Sequence, residues 1–169
     1  MFYHDNMRIL GIDPGTVKTG WGIIDASGQN MRYIAAGVLK QKSGSDISAR
    51  LLYFHQELIK IIEQYHPQSC GIESPFVGEN VRSAFTLGKA QGVAILAAAT
   101  KGLSTVEYLP NLVKQRLSGY GHSTKEQLQI TLKLLLDNAD LPSETDATDA
   151  LAIAVCHHLQ NEMEGLKEY

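Results

Sequence analysis

A length of 169 residues suits a single domain, because two independent hydrophobic cores in a chain of this size would both be undersized. Hydrophobic residues make up 44% of the chain and charged residues 20%, a balance that excludes an intrinsically disordered protein. No apolar run exceeds seven residues, as at 93–99, whereas a membrane helix needs about 18. The first residues also do not have the pattern of a secretory signal. We expect one domain over residues 1–169, with disorder at most in the acidic tail from about residue 162, and no membrane partner.

The cysteine content and the charge distribution bear on the cellular location and on the possible ligands. Cys70 and Cys156 are too few for a disulfide scaffold and fit reduced, buried residues of a cytoplasmic protein. The net charge is −3, but residues 79–133 hold seven Lys and Arg against three acids. This basic middle is compatible with a groove for nucleic acid and equally with a solvated surface of uneven charge. Composition leaves both interpretations open.

Strand signals lie at the start and in the middle of the chain. Residues 8–13, 20–25 and 31–40 are rich in apolar, β-branched and aromatic residues and are separated by short turns, which predicts an antiparallel meander. The short segments 69–73 and 104–108 are typical of buried strands. A helix between them favours parallel pairing of the fourth and fifth strands.

Helices are predicted where apolar residues recur with a period near 3.6. Ser123 and Glu126 have the S-x-x-E spacing of a capping box, which marks the start of one helix. We expect helices over residues 47–65, 81–100, 111–117, 123–136 and from about 146 to 163. The order of the elements predicts an α/β fold, a mixed five-stranded sheet flanked by helices.

Four acids stand out by their position. Asp13 ends the first strand and Glu73 ends the fourth, and each is followed within two residues by proline. Asp146 and Asp149 open the last helix three residues apart and therefore share one face. If the first and fourth strands are neighbours, Asp13 and Glu73 emerge side by side, and the last helix can present its pair against them. Taken singly, Asp13 also fits a turn residue, and the helix pair fits an N-cap or a macrodipole contact.

Four converging carboxylates predict a metal site. Such acids repel one another, and some take up protons unless cations neutralise them. Oxygen-only ligands favour the hard cations Mg²⁺ or Mn²⁺ over zinc. Two such ions about 3.5–4 Å apart are the arrangement that promotes in-line attack on phosphodiesters.

Four motifs resemble those of the RuvC family of Holliday-junction resolvases. They are LGIDPGTVKTGWGIID, GIESPF, KAQGVAILAAA and TDATDALAIA, and the match runs in order over about residues 8–158. The resemblance implies a ribonuclease H-like fold, a homodimer, and Mg²⁺-dependent nicking of two opposed strands of four-way junction DNA in recombination and repair. It also makes a branch-migration complex of the RuvAB type an expected partner and the cytoplasm the expected location.

The resemblance also assigns roles to single residues. The family's catalytic and metal-binding acids fall on Asp13, Glu73, Asp146 and Asp149, which would hold two Mg²⁺ ions, with Mn²⁺ as a substitute. Its basic residues near the scissile phosphate match Lys114 and Lys125, and the aromatic residue that stacks on bases at the junction centre matches Phe76. The residues expected to contact DNA are Phe76, Arg82, Lys114 and Lys125. From the residues alone, Phe76 also fits a core aromatic and the two lysines fit solvated helix faces.

One helix carries a stripe of small residues. Gly88 and Gly92 share a face with Ala84 and Ile95, which allows another element to approach closely. The family resemblance makes this face a two-fold dimer interface. The residues themselves fit close packing on the protein's own sheet as well.

Two other classes of protein share part of the pattern. An actin-like ATPase or sugar kinase has a similar phosphate loop, but it needs a second lobe for which 169 residues leave no room. An RNA-processing nuclease of the YqgF type shares the ribonuclease H-like fold. Its substrate, single-stranded RNA ends rather than a four-way junction, would distinguish it.

Overall fold

The computed structural model describes residues 6–42, 44–74 and 80–165. Within these ranges, five strands and five helices follow one another in the order predicted from the sequence. They are β1 (Met7–Asp13), β2 (Lys18–Ser27), β3 (Asn30–Lys40), α1 (Ile47–Tyr65), β4 (Ser69–Glu73), α2 (Val81–Thr100), β5 (Thr105–Tyr108), α3 (Pro110–Ser118), α4 (Lys125–Leu135) and α5 (Thr145–Gly165).

The strands form one mixed sheet in the order β3-β2-β1-β4-β5. The first three strands pair antiparallel as a meander, and β4 and β5 add to β1 in parallel. This arrangement confirms the mixed five-stranded sheet. It also confirms that the first and fourth strands are neighbours, as the expected meeting of Asp13 and Glu73 requires.

Each face of the sheet buries its own hydrophobic core. Successive residues of a strand point to opposite faces, so Ile9 packs with α3, α4 and α5 while Leu10 and Ile12 pack with α1 and α2. Gly11 and Asp13 follow Ile9 at steps of two residues and therefore point to the same face of the sheet. The carboxyl end of β1 therefore presents its acid to the face that α5 covers.

Helix α5 lies directly on the backbone of the sheet because glycines face it. Gly22, Gly11 and Gly71 are register partners across β2, β1 and β4 and form a row without side chains. A Cβ atom on Gly11 would stand 2.0 Å from the Ala150 carbonyl oxygen and 2.6 Å from the Ala154 nitrogen. Since real Cβ atoms do not approach so closely, the helix can take this position only over glycine.

A buried histidine fastens the second half of α5. The Nδ1 atom of His157 lies 2.6 Å from the Tyr108 hydroxyl, and its Nε2 atom is hydrogen-bonded to the Ser69 hydroxyl. Burial lowers the pKa of His157 to about 4, so the ring is neutral at physiological pH. His158 bonds the Gly28 carbonyl oxygen through Nε2 at 2.7 Å. Helix α5 is thus fixed to β4, β5 and the β2–β3 turn.

The predicted capping box is wrong by one residue. The N-cap of α4 is Thr124, whose hydroxyl accepts from the Gln127 N–H while the Gln127 side chain accepts from the Thr124 N–H. Both Ser123 and Thr124 carry a hydroxyl, and both are followed three residues later by Glu or Gln. The Ser123 hydroxyl is instead used inside the preceding loop, where it donates to the Tyr120 carbonyl oxygen at 2.7 Å.

The two cysteines are buried and unpaired, as expected, and burial raises the pKa of both thiols. Within the three described ranges, no helix combines the length and the apolar character that crossing a membrane requires.

The substitution Gly11→Ala tests the close packing of α5. The added methyl group would overlap the backbone of α5, which cannot move aside without lifting the helix from the sheet. We expect the free energy of unfolding, measured by urea denaturation, to fall by about 3 kcal/mol or more. Gly44→Ala is the control, because a Cβ atom there meets nothing within 4 Å. Equal stability of the two variants would contradict the packing argument.

Candidate active site

The ends of β1 and β4 bring two of the predicted acids together. Ile12 and Ile72 are register partners in the parallel pair, so Asp13 and Glu73 follow them side by side. Their carboxyl groups are hydrogen-bonded to each other. A carboxyl–carboxyl hydrogen bond needs a proton on one of the two groups.

The other two acids come from the first turns of α5. Gly20 is the register partner of Asp13 on β2, and a Cβ atom at Gly20 would lie 1.9 Å from the Asp146 carbonyl oxygen. The start of the helix therefore rests on the strand residue next to Asp13. The charges of Asp146 and Asp149 both act on the Asp13 carboxyl. All four acidic side chains are partly exposed, so the cluster is open to solvent.

Burial and the neighbouring charges raise the pKa of two of these acids. The pKa of Asp13 is raised to about 9, first by burial, then by the hydrogen bond with Glu73, and then by the charges of Glu73, Asp149 and Asp146. Burial also raises the pKa of Asp149, against the opposing effect of Lys125. Without bound cations, the cluster therefore retains a proton at neutral pH.

The two predicted lysines lie beside the cluster. The Nζ atom of Lys125, the first residue of α4, stands 4.0 Å from Asp149 Oδ2. Lys114 on α3 is partly buried, and its charge also lowers the pKa of Asp149. The Lys125 side chain is 73% exposed and that of Asp149 45%, so their attraction contributes little to stability. Both ammonium groups are available to a charged ligand.

The acids have the donor chemistry of a site for hard divalent cations. Carboxylate oxygens are the ligands that Mg²⁺ and Mn²⁺ prefer. The charges of three neighbouring acids act on Asp13 in addition to its burial. In the part of the chain that the structure describes, no three Asp, Glu, His or Cys side chains already stand in a metal-binding geometry. A bound cation would take the place of the proton that this cluster otherwise retains.

The turn after β1 fixes the direction in which the chain leaves Asp13. The buried hydroxyl of Thr19 donates to the Gly15 carbonyl oxygen at 3.1 Å and lies 3.3 Å from the Gly15 nitrogen. A Cβ atom on Gly15 would stand 2.1 Å from the Lys18 carbonyl oxygen. Glycine is therefore required for the tight return into β2.

A polar network after β4 was not found from the sequence. Ser74 directly follows Glu73, and its N–H donates to the Tyr108 carbonyl oxygen at 2.8 Å. The Ser74 hydroxyl donates to Glu107 Oε2 at 3.3 Å, and Gln91 donates to the same oxygen at 2.7 Å. These contacts hold the strand end that positions Glu73. The three polar residues are far apart in sequence, and no local pattern connects them.

The structure describes only some of the other residues that the sequence predicts to contact DNA or a second copy of the chain. Phe76 lies outside the described residues, as does Glu79. Arg82 is exposed in the first turn of α2. Gly88 and Gly92 do not pack on the protein's own sheet, because a Cβ atom on either would meet nothing within 4 Å.

A mixed sheet in the order 3-2-1-4-5, with acids at the ends of two adjacent parallel strands and on the covering helix, defines a nuclease of the ribonuclease H-like class. The sequence model of one family, described as Crossover junction endodeoxyribonuclease RuvC, matches residues 9–157. The chain belongs to this family. Membership implies a nuclease that depends on divalent metal ions.

Relatives and solved structures agree with this assignment. A curated relative from Dehalococcoides mccartyi, a crossover junction endodeoxyribonuclease RuvC, is 47% identical over 90% of this chain and 92% of its own length. A relative of the same name from Afipia carboxidovorans is 43% identical over 93% and 92%. The structure of T. thermophilus RuvC in complex with a Holliday junction substrate superposes with a TM-score of 0.87 at 28% identity, over 94% of this chain and 96% of that one. These matches confirm the predicted family and the ribonuclease H-like fold.

The raised pKa of Asp13 predicts how stability depends on pH in a chelating buffer. Above about pH 4 the unfolded chain releases a proton that native Asp13 retains, so the free energy of unfolding must fall as the pH rises from about 4 to 9. Asp13→Asn should flatten this slope and make the protein more stable than the wild type at about pH 8, by about 1–3 kcal/mol. Urea denaturation across this range measures both effects. Asp140→Asn, at an exposed site, should follow the wild type. Parallel curves for Asp13→Asn and the wild type would contradict the electrostatic account.

Proposed function

We propose that this protein resolves Holliday junctions by paired nicks in two opposed strands of four-way DNA, hydrolysing phosphodiester bonds during recombination and repair. The observation that carries the proposal is the convergence of Asp13, Glu73 and the two α5 acids at one edge of the sheet. Family membership and the junction-bound T. thermophilus RuvC structure support this choice of substrate. We further propose that residues 1–169 act as one nuclease domain in the cytoplasm.

The acids fit a pair of Mg²⁺ ions, for which Mn²⁺ would substitute. Asp13, Glu73 and the two α5 acids would hold the ions, because Glu73 lies beside Asp13 and the charges of the α5 acids act on Asp13 from the covering helix. When bound, such a pair supplies an activated water molecule and stabilises the leaving oxygen. The role of the protein is to hold four carboxylates close together at a cost in electrostatic repulsion that bound cations remove.

The lysines complete the proposed chemistry. A Lys ammonium group near a non-bridging phosphate oxygen stabilises the charge that develops in the transition state. Lys114 and Lys125 approach Asp149 from two different helices, and both act on its pKa. They would therefore stand next to the phosphate that is hydrolysed at the acid cluster. Lys125 also lies at the N-terminus of α4, where the helix dipole adds partial positive charge.

Dimerisation through α2 would match the two-fold symmetry of the substrate. Its outer face carries Phe85, which is 72% exposed, together with Val81 and the open surface over Gly88 and Gly92. A second copy packed on this face would cover apolar surface and present two identical acid clusters. Paired nicks in opposed strands of equal polarity follow from such an arrangement.

The remaining contacts follow from family membership. Phe76 would stack on bases at the junction centre, an interaction worth about 1–3 kcal/mol, and Arg82 would contact the DNA backbone nearby. A branch-migration complex of the RuvAB type would deliver the junction.

The direct test uses a synthetic mobile four-way junction labelled on each strand. We expect symmetric cuts with Mg²⁺ and none with chelator. Asp13→Asn should abolish cutting and leave junction binding equal or tighter, because one carboxylate facing phosphate is removed. Asp140→Asn should cut normally. Normal cutting by Asp13→Asn would remove this residue from the site, and cutting of single-stranded RNA ends instead of the junction would overturn the proposed substrate.

The role of the lysines is tested by measuring junction affinity and the single-turnover cleavage rate separately. Lys114→Ala should slow single-turnover cleavage by about 100-fold while weakening junction affinity only several-fold, because the interaction strengthens as charge develops on the phosphate. Lys133→Ala, at an exposed position late in α4, is the control. An unchanged single-turnover rate in Lys114→Ala would refute the proposed role.

A further inference from the structure

The loop between α3 and α4 exposes an aromatic pair that the proposed chemistry does not use. Tyr120 is 62% exposed at the tip of this loop. Its ring meets that of His122 edge to face, with centroids 5.4 Å apart and planes at 67°. His122 is exposed as well.

The loop backbone that carries Tyr120 is held by hydrogen bonds. The Ser123 hydroxyl donates to the Tyr120 carbonyl oxygen at 2.7 Å, and Ser123 itself is buried. The Tyr120 N–H lies 3.4 Å from the Ser118 hydroxyl, which donates to the Lys114 carbonyl oxygen at 2.8 Å. Gly119 takes a positive φ of 73° to turn the chain out of α3. The aromatic ring therefore points into solvent from a braced turn rather than from a loose segment.

The same loop joins the two lysines beside the acid cluster. It begins one helical turn after Lys114 and ends at Thr124, next to Lys125. Because consecutive Cα atoms are about 3.8 Å apart, the Cα atoms of Tyr120 and Lys125 are separated by less than about 19 Å. A hydrogen bond from the Ser123 N–H to the Tyr120 carbonyl oxygen closes a turn and shortens this path.

We propose that Tyr120 stacks on a nucleobase of the DNA strand that is cut, a few nucleotides from the phosphate at the acid cluster. The inference rests on the proposed function. An exposed aromatic ring on the loop that connects the helices of Lys114 and Lys125 matches the chemistry of single-stranded nucleic acid, whose phosphates meet positive charge and whose unstacked bases meet flat rings. The edge-to-face contact with His122 restrains the tyrosine ring.

Stacking and phosphate contacts differ in their salt dependence, which makes the inference testable. Losing a phosphate contact lowers the slope of log K against log salt by about one, whereas losing a stacking contact leaves that slope unchanged. We expect Tyr120→Ala to weaken junction affinity about tenfold with no change in slope. Tyr120→Phe, which keeps the ring, should bind like the wild type.

The experiment measures binding in the Asp13→Asn background, with 2-aminopurine at successive positions beside the cut site. One position should be quenched on binding with Tyr120 or Tyr120→Phe and not with Tyr120→Ala. Ile130→Ala is the control, because Ile130 is also 62% exposed but lies farther along α4. An unchanged affinity, a reduced salt slope, or unaltered quenching in Tyr120→Ala would overturn the inference. Failure of the protein with an intact Asp13 to cut junctions would instead overturn the proposed function.

Discussion

The close contact between α5 and the backbone of the sheet is the constraint on which the site depends. Over Gly11 and Gly20 the helix backbone reaches the strand backbone, so no side-chain layer separates them. That contact sets the height of α5 above β1. It brings the first turns of the helix, with Asp146 and Asp149, to the level of the Asp13 carboxyl.

The same contact creates an electrostatic cost. Burial and, after it, the charges of the neighbouring acids raise the pKa of Asp13 and Asp149. The hydrophobic packing of α5 and its hydrogen bonds through His157 and His158 oppose this repulsion from the other half of the helix. A helix anchored far from the acids can hold them close together without relying on favourable contacts at the site itself.

The residues around the acids have three different functions, and different elements supply them. The strand ends and their turns set position, through the Thr19 hydroxyl after β1 and the Ser74 network after β4. The lysines of α3 and α4 supply positive charge, and the loop that connects these two helices exposes an aromatic ring. Each group comes from a different element, so a substitution can alter one function while leaving the carboxylate cluster assembled.

Local patterns are sufficient to predict the strands, the helices, the antiparallel meander and the parallel pairing of β4 with β5, because the apolar periods and turn residues of this chain are clear. That β4 lies next to β1 is only a condition at the level of the sequence, and the structure supplies it. The capping box was misplaced because Ser123 and Thr124 satisfy the same local rule, and only the contacts of the loop distinguish them. The Ser74–Gln91–Glu107 network depends on tertiary contacts between residues far apart in sequence, so no local rule could reveal it.

The glycine row was visible in the sequence but not interpretable from it. Gly11, Gly22 and Gly71 become one row only when the register of three strands is known. The reason for glycine at these positions is the contact with α5, which begins 72 residues after β4 ends. The sequence motifs around these glycines led to the right family, while the physical reason for the glycines required the structure.

If α5 holds the four acids together over the sheet, they should bind metal ions as one site. A crystal soaked in Mn²⁺ and measured at the manganese absorption edge shows whether they do. We expect anomalous peaks contacted by Asp13, Glu73 and at least one of the α5 acids. Manganese absent from this edge of the sheet at millimolar concentration, or held by acids elsewhere, would contradict it.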